Sequence, residues 1–261
     1  MALMYLNPVM WSYTKRHATL PQRAAFKLDS EEVLCRCVDI GGHRLYVTLF
    51  DPAKRGGVML SWAAPGIGVS IRGSETLLPH VDSMEEVPVD DIASPPSPTF
   101  TPEGPSHAAI RERISSLLHR AAIDPSSAQS SPKDVFLYPT GMAAVFHVTN
   151  TLLALRPGPV AVLGVVFHNT HSHLREECVH GWEHFGAVDD AGVDELEKWL
   201  EAQGAVCYVI VEFPGNPTLD TPDLKRLKKL VSTASFPLSP CLQYLHIRQA
   251  VFSSYSCLFF I

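Results

Sequence analysis

Thr140-Gly141-Met142 stands where a short apolar run, residues 135–138, breaks at Pro139 and a helical pattern over about 142–155 begins. That order reads as strand, tight turn and helix start. The first turn of a helix carries N–H groups with no partner inside the helix, beside the positive end of its dipole, and so suits an anion. Thr140 can cap the turn and add a hydroxyl, while Gly141 lets a bound group come close to the backbone. A phosphate is the natural guest, and a plain Thr-Gly turn is the alternative.

A second group of chemistry-bearing side chains is His168, His171 and His173, with His180 and His184 further on. Imidazoles at such short spacing can converge on zinc or copper. No carboxylate or thiolate completes an evident ligand set, so the expectation is a polar loop of neutral histidines and no metal. Cysteines at 35, 37, 178, 207, 241 and 257 form no CxxC boxes and read as free thiols of a reducing compartment. Gly66-Ile67-Gly68 followed by Arg72 suggests a nucleotide loop only superficially, because neither the third glycine's spacing nor a clear preceding strand is right.

The elements that must position these residues alternate. Residues 160–167 and 205–212 are continuous apolar runs of the kind found inside parallel sheets, and helical patterns cover 194–203 and 222–230. The expected fold is therefore α/β, a mostly parallel sheet with helices on both faces. Ligands of such sheets gather at the carboxyl ends of the strands, where Thr140-Gly141, Phe167-His168 and the stretch from Glu212 to Asn216 all fall.

The flanking chain is less legible. Residues 44–50 read as a strand after the Gly41-Gly42 turn, and 51–57 as a loop. The stretch from 83 to 105 is acidic and then proline-rich, a connector. Ser106 reads as the cap of a helix over 107–122, with Ile110, Ile114, Leu117 and Leu118 on one face, and 124–133 as a polar linker. The implied division is 1–105, an N-terminal segment with its connector; 106–238, a partial cofactor-binding large domain; and 239–261, an atypical tail.

Tyr138-Pro-Thr-Gly-Met-Ala-Ala144, Val166-Phe-His-Asn-Thr170 and Glu212-Phe-Pro-Gly-Asn-Pro217, with Thr221-Pro-Asp-Leu224, resemble the pyridoxal-phosphate enzymes of cysteine and methionine metabolism, fungal cystathionine γ-synthase above all. The likeness covers about 35–238 and is strong from 103 onward. It implies a partial fold-type I, aspartate aminotransferase-like architecture and pyridoxal 5′-phosphate as cofactor. By the same resemblance, Gly141 and Met142 give backbone N–H groups to the cofactor phosphate, with Thr140 beside them. Phe167 takes the place of the family's stacking ring, usually tyrosine; a phenylalanine can stack but has no hydroxyl to move a proton. Asn216 matches the asparagine that bonds the ring oxygen, and an Asn-Pro turn is its local alternative. Arg72 corresponds loosely to the basic residue that reaches a neighbouring subunit's phosphate.

The family also uses an aspartate on the strand after the 224–230 helix and a later lysine that bonds the cofactor. From Ser239 to Ile261 the sequence holds one charged residue, Arg248, and neither acid nor lysine. The expectation is a chain shortened at its C-terminal side, with Lys225, Lys228 and Lys229 as a solvated helix face. The implied reaction is γ-replacement joining an O-acyl-homoserine and cysteine, with a sulfhydrylase or γ-lyase as variants. A non-catalytic remnant that binds subunits or phosphorylated ligands is the reading from another class. A homo-oligomer is implied by resemblance alone.

Composition excludes several partners. The 261 residues are 46% hydrophobic with a formal charge of −6, enough for a sizeable core and without a basic face for nucleic acid. No apolar run approaches the roughly 18 to 20 residues of a membrane helix. The N-terminus lacks the pattern of a secretory signal, so a soluble, cytoplasmic protein is expected.

Overall fold

The computed structural model describes residues 1–21, 27–65, 68–88, 104–121, 130–203, 206–233, 251–252 and 257–260. They fall into two units, Met1–Pro139 and Thr140–Ile261. The proline-rich stretch 94–103, Gly66 and most of the 239–261 tail lie outside the described residues.

The first unit is built on an antiparallel sheet in the order β1 (Ala2–Tyr5), β3 (His43–Leu49), β2 (Leu34–Ile40), β4 (Glu85–Val87). Gly41 and Gly42, with φ of 55° and 80°, make the hairpin turn between β2 and β3, a conformation that costs glycine little. Helices α1 (Pro8–Ala18), α2 (Arg55–Ala63), α3 (Ile71–Leu77) and α4 (Pro105–Ala121) complete it. The 51–57 stretch is not the expected loop. Asp51 accepts a hydrogen bond from the Ala53 amide at 2.8 Å, and the capped turn runs straight into α2. Helix α4 likewise begins at Pro105, which places Ser106 inside its first turn instead of at its cap.

Residues 135–138 form no strand, although their side-chain types suit one. They follow a short 3₁₀ turn, Pro132–Asp134, and the Val135 carbonyl accepts a 2.9 Å hydrogen bond from the Arg111 guanidinium. A strand needs a neighbour's backbone as well as the right side chains, and here a side chain supplies a partner.

The second unit holds the mostly parallel layer. α5 (Gly141–Leu155) precedes β5 (Val160–Leu163), followed by α6 (His168–Glu177), β6 (Trp182–Phe185), α7 (Asp190–Gln203), β7 (Tyr208–Phe213) and α8 (Leu224–Thr233). β5 lies between β6 and β7, parallel to both, while β9 (Cys257–Phe260) joins β7 antiparallel and carries β8 (Val251–Phe252) outside it. The structure is thus α/β with a mixed second sheet.

Alternation along the strands divides its core into two layers. Ala161, Leu163, Val209 and Val211 face Val193, Leu196 and Leu200 of α7 and Leu227 of α8. On the other face, Tyr208 and Thr149 of α5 share a buried 2.8 Å hydrogen bond between hydroxyls. Helices therefore cover both faces. Arg226 of α8 reaches Asp190, Asp194 and Glu197 of α7, which fixes the two helices side by side.

The histidine-rich stretch is a helix, α6, where a loop was expected. Its residues are weak helix formers, but Thr170, His173 and Leu174 are buried, and such packing outweighs propensity. β6, too, carries no apolar run that would announce it. Among the described residues no helix is long and apolar enough to cross a membrane.

Leu196, fully buried at the centre of the α7 layer, anchors this packing. Replacing it with alanine should cost about 2–5 kcal/mol, read from the denaturant midpoint of unfolding.

Candidate functional site

The carboxyl ends of β5, β6 and β7 form one rim of the second sheet. Thr140 is the N-cap of α5, its hydroxyl accepting from the Ala143 amide at 3.0 Å, as the sequence suggested. The Ala144 amide bonds the Thr140 carbonyl. The amides of Gly141 and Met142, first in the helix, have no intrahelical partner.

Met142 is buried, and its sulfur accepts a weak hydrogen bond, 3.8 Å long, from the Thr170 hydroxyl. That contact joins the first turn of α5 to the first turn of α6. Phe167 precedes α6 as its N-cap and has no side-chain cap to offer; its ring is 47% exposed and lies 4.3 Å, centroid to centroid, from that of His168. The Phe167 amide donates to Glu212 Oε1 at 3.0 Å, which ties the β5–α6 connection to the end of β7. Asn216 is exposed in the turn that follows, where the Gly215 amide bonds the Asp220 carbonyl at 2.8 Å. Contacts thus bring the Thr140–Met142 turn, Phe167 and the β7 end to one rim. Arg72 belongs to the first unit, exposed on α3, its carbonyl accepting from Thr76.

A cleft of about 230 Å³ opens on the same rim, lined by Val165, Val188, Asp189, Glu212, Gly215 and Asp220 among others. Sequence reasoning missed Asp189 and Asp220. Asp189 caps α7 by accepting from the Gly192 amide at 3.0 Å, a role that an aspartate just before a helical pattern could have signalled. Gly164 also escaped notice. Its φ of 78° turns the chain out of β5, and a Cβ there would lie 2.5 Å from Val188. Burial pushes the Glu212 carboxyl above its ordinary range, with the Phe167 amide pulling the other way.

Of the histidines, two meet. His171 of α6 and His184 of β6 lie 4.7 Å apart between ring centroids, with Trp182 at 5.3 Å from His171. His184 Nε2 is 2.9 Å from the Gly164 carbonyl, which can only accept, so that nitrogen carries the proton. His173 is buried against Phe146, and His180 is exposed. Among the described residues no three histidine, cysteine or acidic side chains are placed to hold a metal ion.

Burial, then His184, then Arg175 lower the proton affinity of His171. An unfolded chain takes up that proton below about pH 6.5, and the folded form resists it. The stability this confers is present above about pH 6.5 and is lost as pH falls through the lower folded value. His171→Asn should therefore gain thermal midpoint relative to the parent between about pH 7.5 and about pH 5.5, as read by melting curves along that range.

No protein-family model and no solved structure matches the chain. Several curated proteins do, three of which show the range. An alanine racemase, ungC, of Aspergillus violaceofuscus is 31% identical over 207 residues, 73% of this chain and 34% of that protein. The cystathionine gamma-synthase of Neurospora crassa is 29% identical over 154 residues, 51% of this chain and 25% of its own. The cystathionine gamma-synthase-like enzyme iboG2 of Amanita muscaria is 34% identical over 120 residues, 43% and 19%. The chain thus spans between a fifth and a third of the length of these relatives. It is a partial relative of the fungal cystathionine γ-synthases and of the enzymes that resemble them.

Proposed function

We propose that the rim of the second unit binds pyridoxal 5′-phosphate and that the protein serves pyridoxal-phosphate chemistry on amino acids, of the cystathionine γ-synthase type. One observation carries this reading: the start of the 15-residue helix α5 and the half-exposed ring of Phe167 stand at the same sheet rim, linked through Met142 and Thr170.

The residues fit the group. A dianionic phosphate suits the Gly141 and Met142 amides at the positive end of α5, whose first turn Thr140 holds in shape. Phe167 offers an exposed face to a flat pyridine ring, and Asn216 an amide to its ring oxygen. When bound, pyridoxal phosphate supplies an electron-accepting ring that lets an amino acid release protons beside its α-carbon. Phe167 cannot hold or pass such a proton. The second unit's lysines, Lys198, Lys225, Lys228 and Lys229, are all exposed, and none lines the cleft. The chain's own contribution is to bind and orient the cofactor.

At the finer level the proposed reaction is γ-replacement, joining an O-acyl-homoserine and cysteine in the cytoplasm, within a homo-oligomer in which Arg72 reaches the phosphate of a neighbouring subunit. A second reading, racemisation of alanine, is favoured by the similarity to ungC, which runs longer than the other two.

Titrating purified chain with pyridoxal phosphate, followed by cofactor absorbance and protein fluorescence, tests the proposal. Saturable binding that inorganic phosphate competes away is expected. Phe167→Ala should weaken it about tenfold, or about 1.4 kcal/mol, at an unchanged melting temperature. Thr140→Ala should weaken it too, with a loss of about 1 kcal/mol in stability. Absence of saturable binding overturns the reading. Assays of cystathionine formation and of alanine racemisation separate the two reactions.

A further inference from the structure

Glu212 is 7% exposed, the last buried residue of β7. Burying a carboxylate is costly unless hydrogen bonds or charge compensate it. Here the compensation comes from 45 residues away, the Phe167 amide at 3.0 Å. Phe167 is the N-cap of α6, and the residue at N3, Thr170, is no acid that could reach back to the N-cap amide; Glu212 accepts that N–H from outside the helix. The carboxylate also stands at the positive end of α6, where negative charge is favoured.

We propose that Glu212 is a positioning residue: by holding the Phe167 backbone it fixes where the Phe167 ring is presented on the rim. This rests on the reading of the rim as a pyridoxal-phosphate site. A charged acceptor makes a shorter, stronger and more directional bond than a neutral one. The geometry of one N–H thereby sets the angle at which the ring leaves the β5–α6 connection. The other ionisable groups lining the same cleft are Asp189 and Asp220. Burial disfavours its charge; the Phe167 amide favours it.

The test is run on the full chain with Glu212→Gln and Glu212→Ala. In amide NMR spectra across a pH series, the parent's Phe167 N–H should follow one carboxyl titration above the ordinary glutamate range. In Glu212→Gln that titration should vanish. The affinity for pyridoxal phosphate should fall about tenfold in Glu212→Ala and recover most of the way in Glu212→Gln, whose amide oxygen can still accept. A structural role alone would lower the melting temperature of both variants without that recovery. A Phe167 amide that does not respond to Glu212, or an alanine variant that binds as tightly as the parent, overturns the proposal even where the cofactor binds. A parent chain that shows no saturable binding overturns the rim reading itself, whatever the spectra show.

Discussion

Strand β5 needs backbone partners on both sides. Its four residues, Val160 to Leu163, are completely buried, and buried backbone polar groups must be paired. β6 and β7 supply the pairs in parallel register. Because the three strands point the same way, their carboxyl ends coincide and the connections that leave them share one edge. The features that leave these strands on the rim follow from that: the Gly164 turn, the Phe167 start of α6, the Asp189 cap of α7 and the turn beyond Glu212.

How far this was legible depended on how locally each feature is encoded. β5 and β7 were readable because strands buried on both faces are written as unbroken apolar runs, although β5 stops at Leu163, where Gly164 turns the chain, and not at Phe167 as the apolar run to that residue implied. The α5 start was readable because Thr140 is a capping type directly before a helical pattern. The α6 helix was not, since histidine, asparagine, threonine and serine do not form helices by propensity, and the burial of His173 and Leu174 that stabilises it is a tertiary fact. Residues 135–138 erred in the other direction. Their types suit a strand, yet Phe136 is exposed and no strand among the described residues pairs with them.

The site divides the same way. Thr140, Gly141, Met142, Phe167 and Asn216 lie in contiguous motifs, so the sequence could nominate them. The bond between Glu212 and Phe167 joins residues far apart in the chain, and no periodicity announces it. Asp220 could not be singled out, because an aspartate in a turn has an ordinary structural use.

Arg226 illustrates a different dependence. A single guanidinium serves three acids of α7, while α8 also contributes the fully buried side chain of Leu227 to the layer beneath. Exposed ion pairs are screened over about 8 Å at physiological ionic strength and over about 3 Å in molar salt, whereas apolar contact is not. The docking of α8 is therefore divided between a component that electrolyte weakens and one that it leaves in place. Brine would slacken this helix first, and the parallel strands behind it would scarcely register the change.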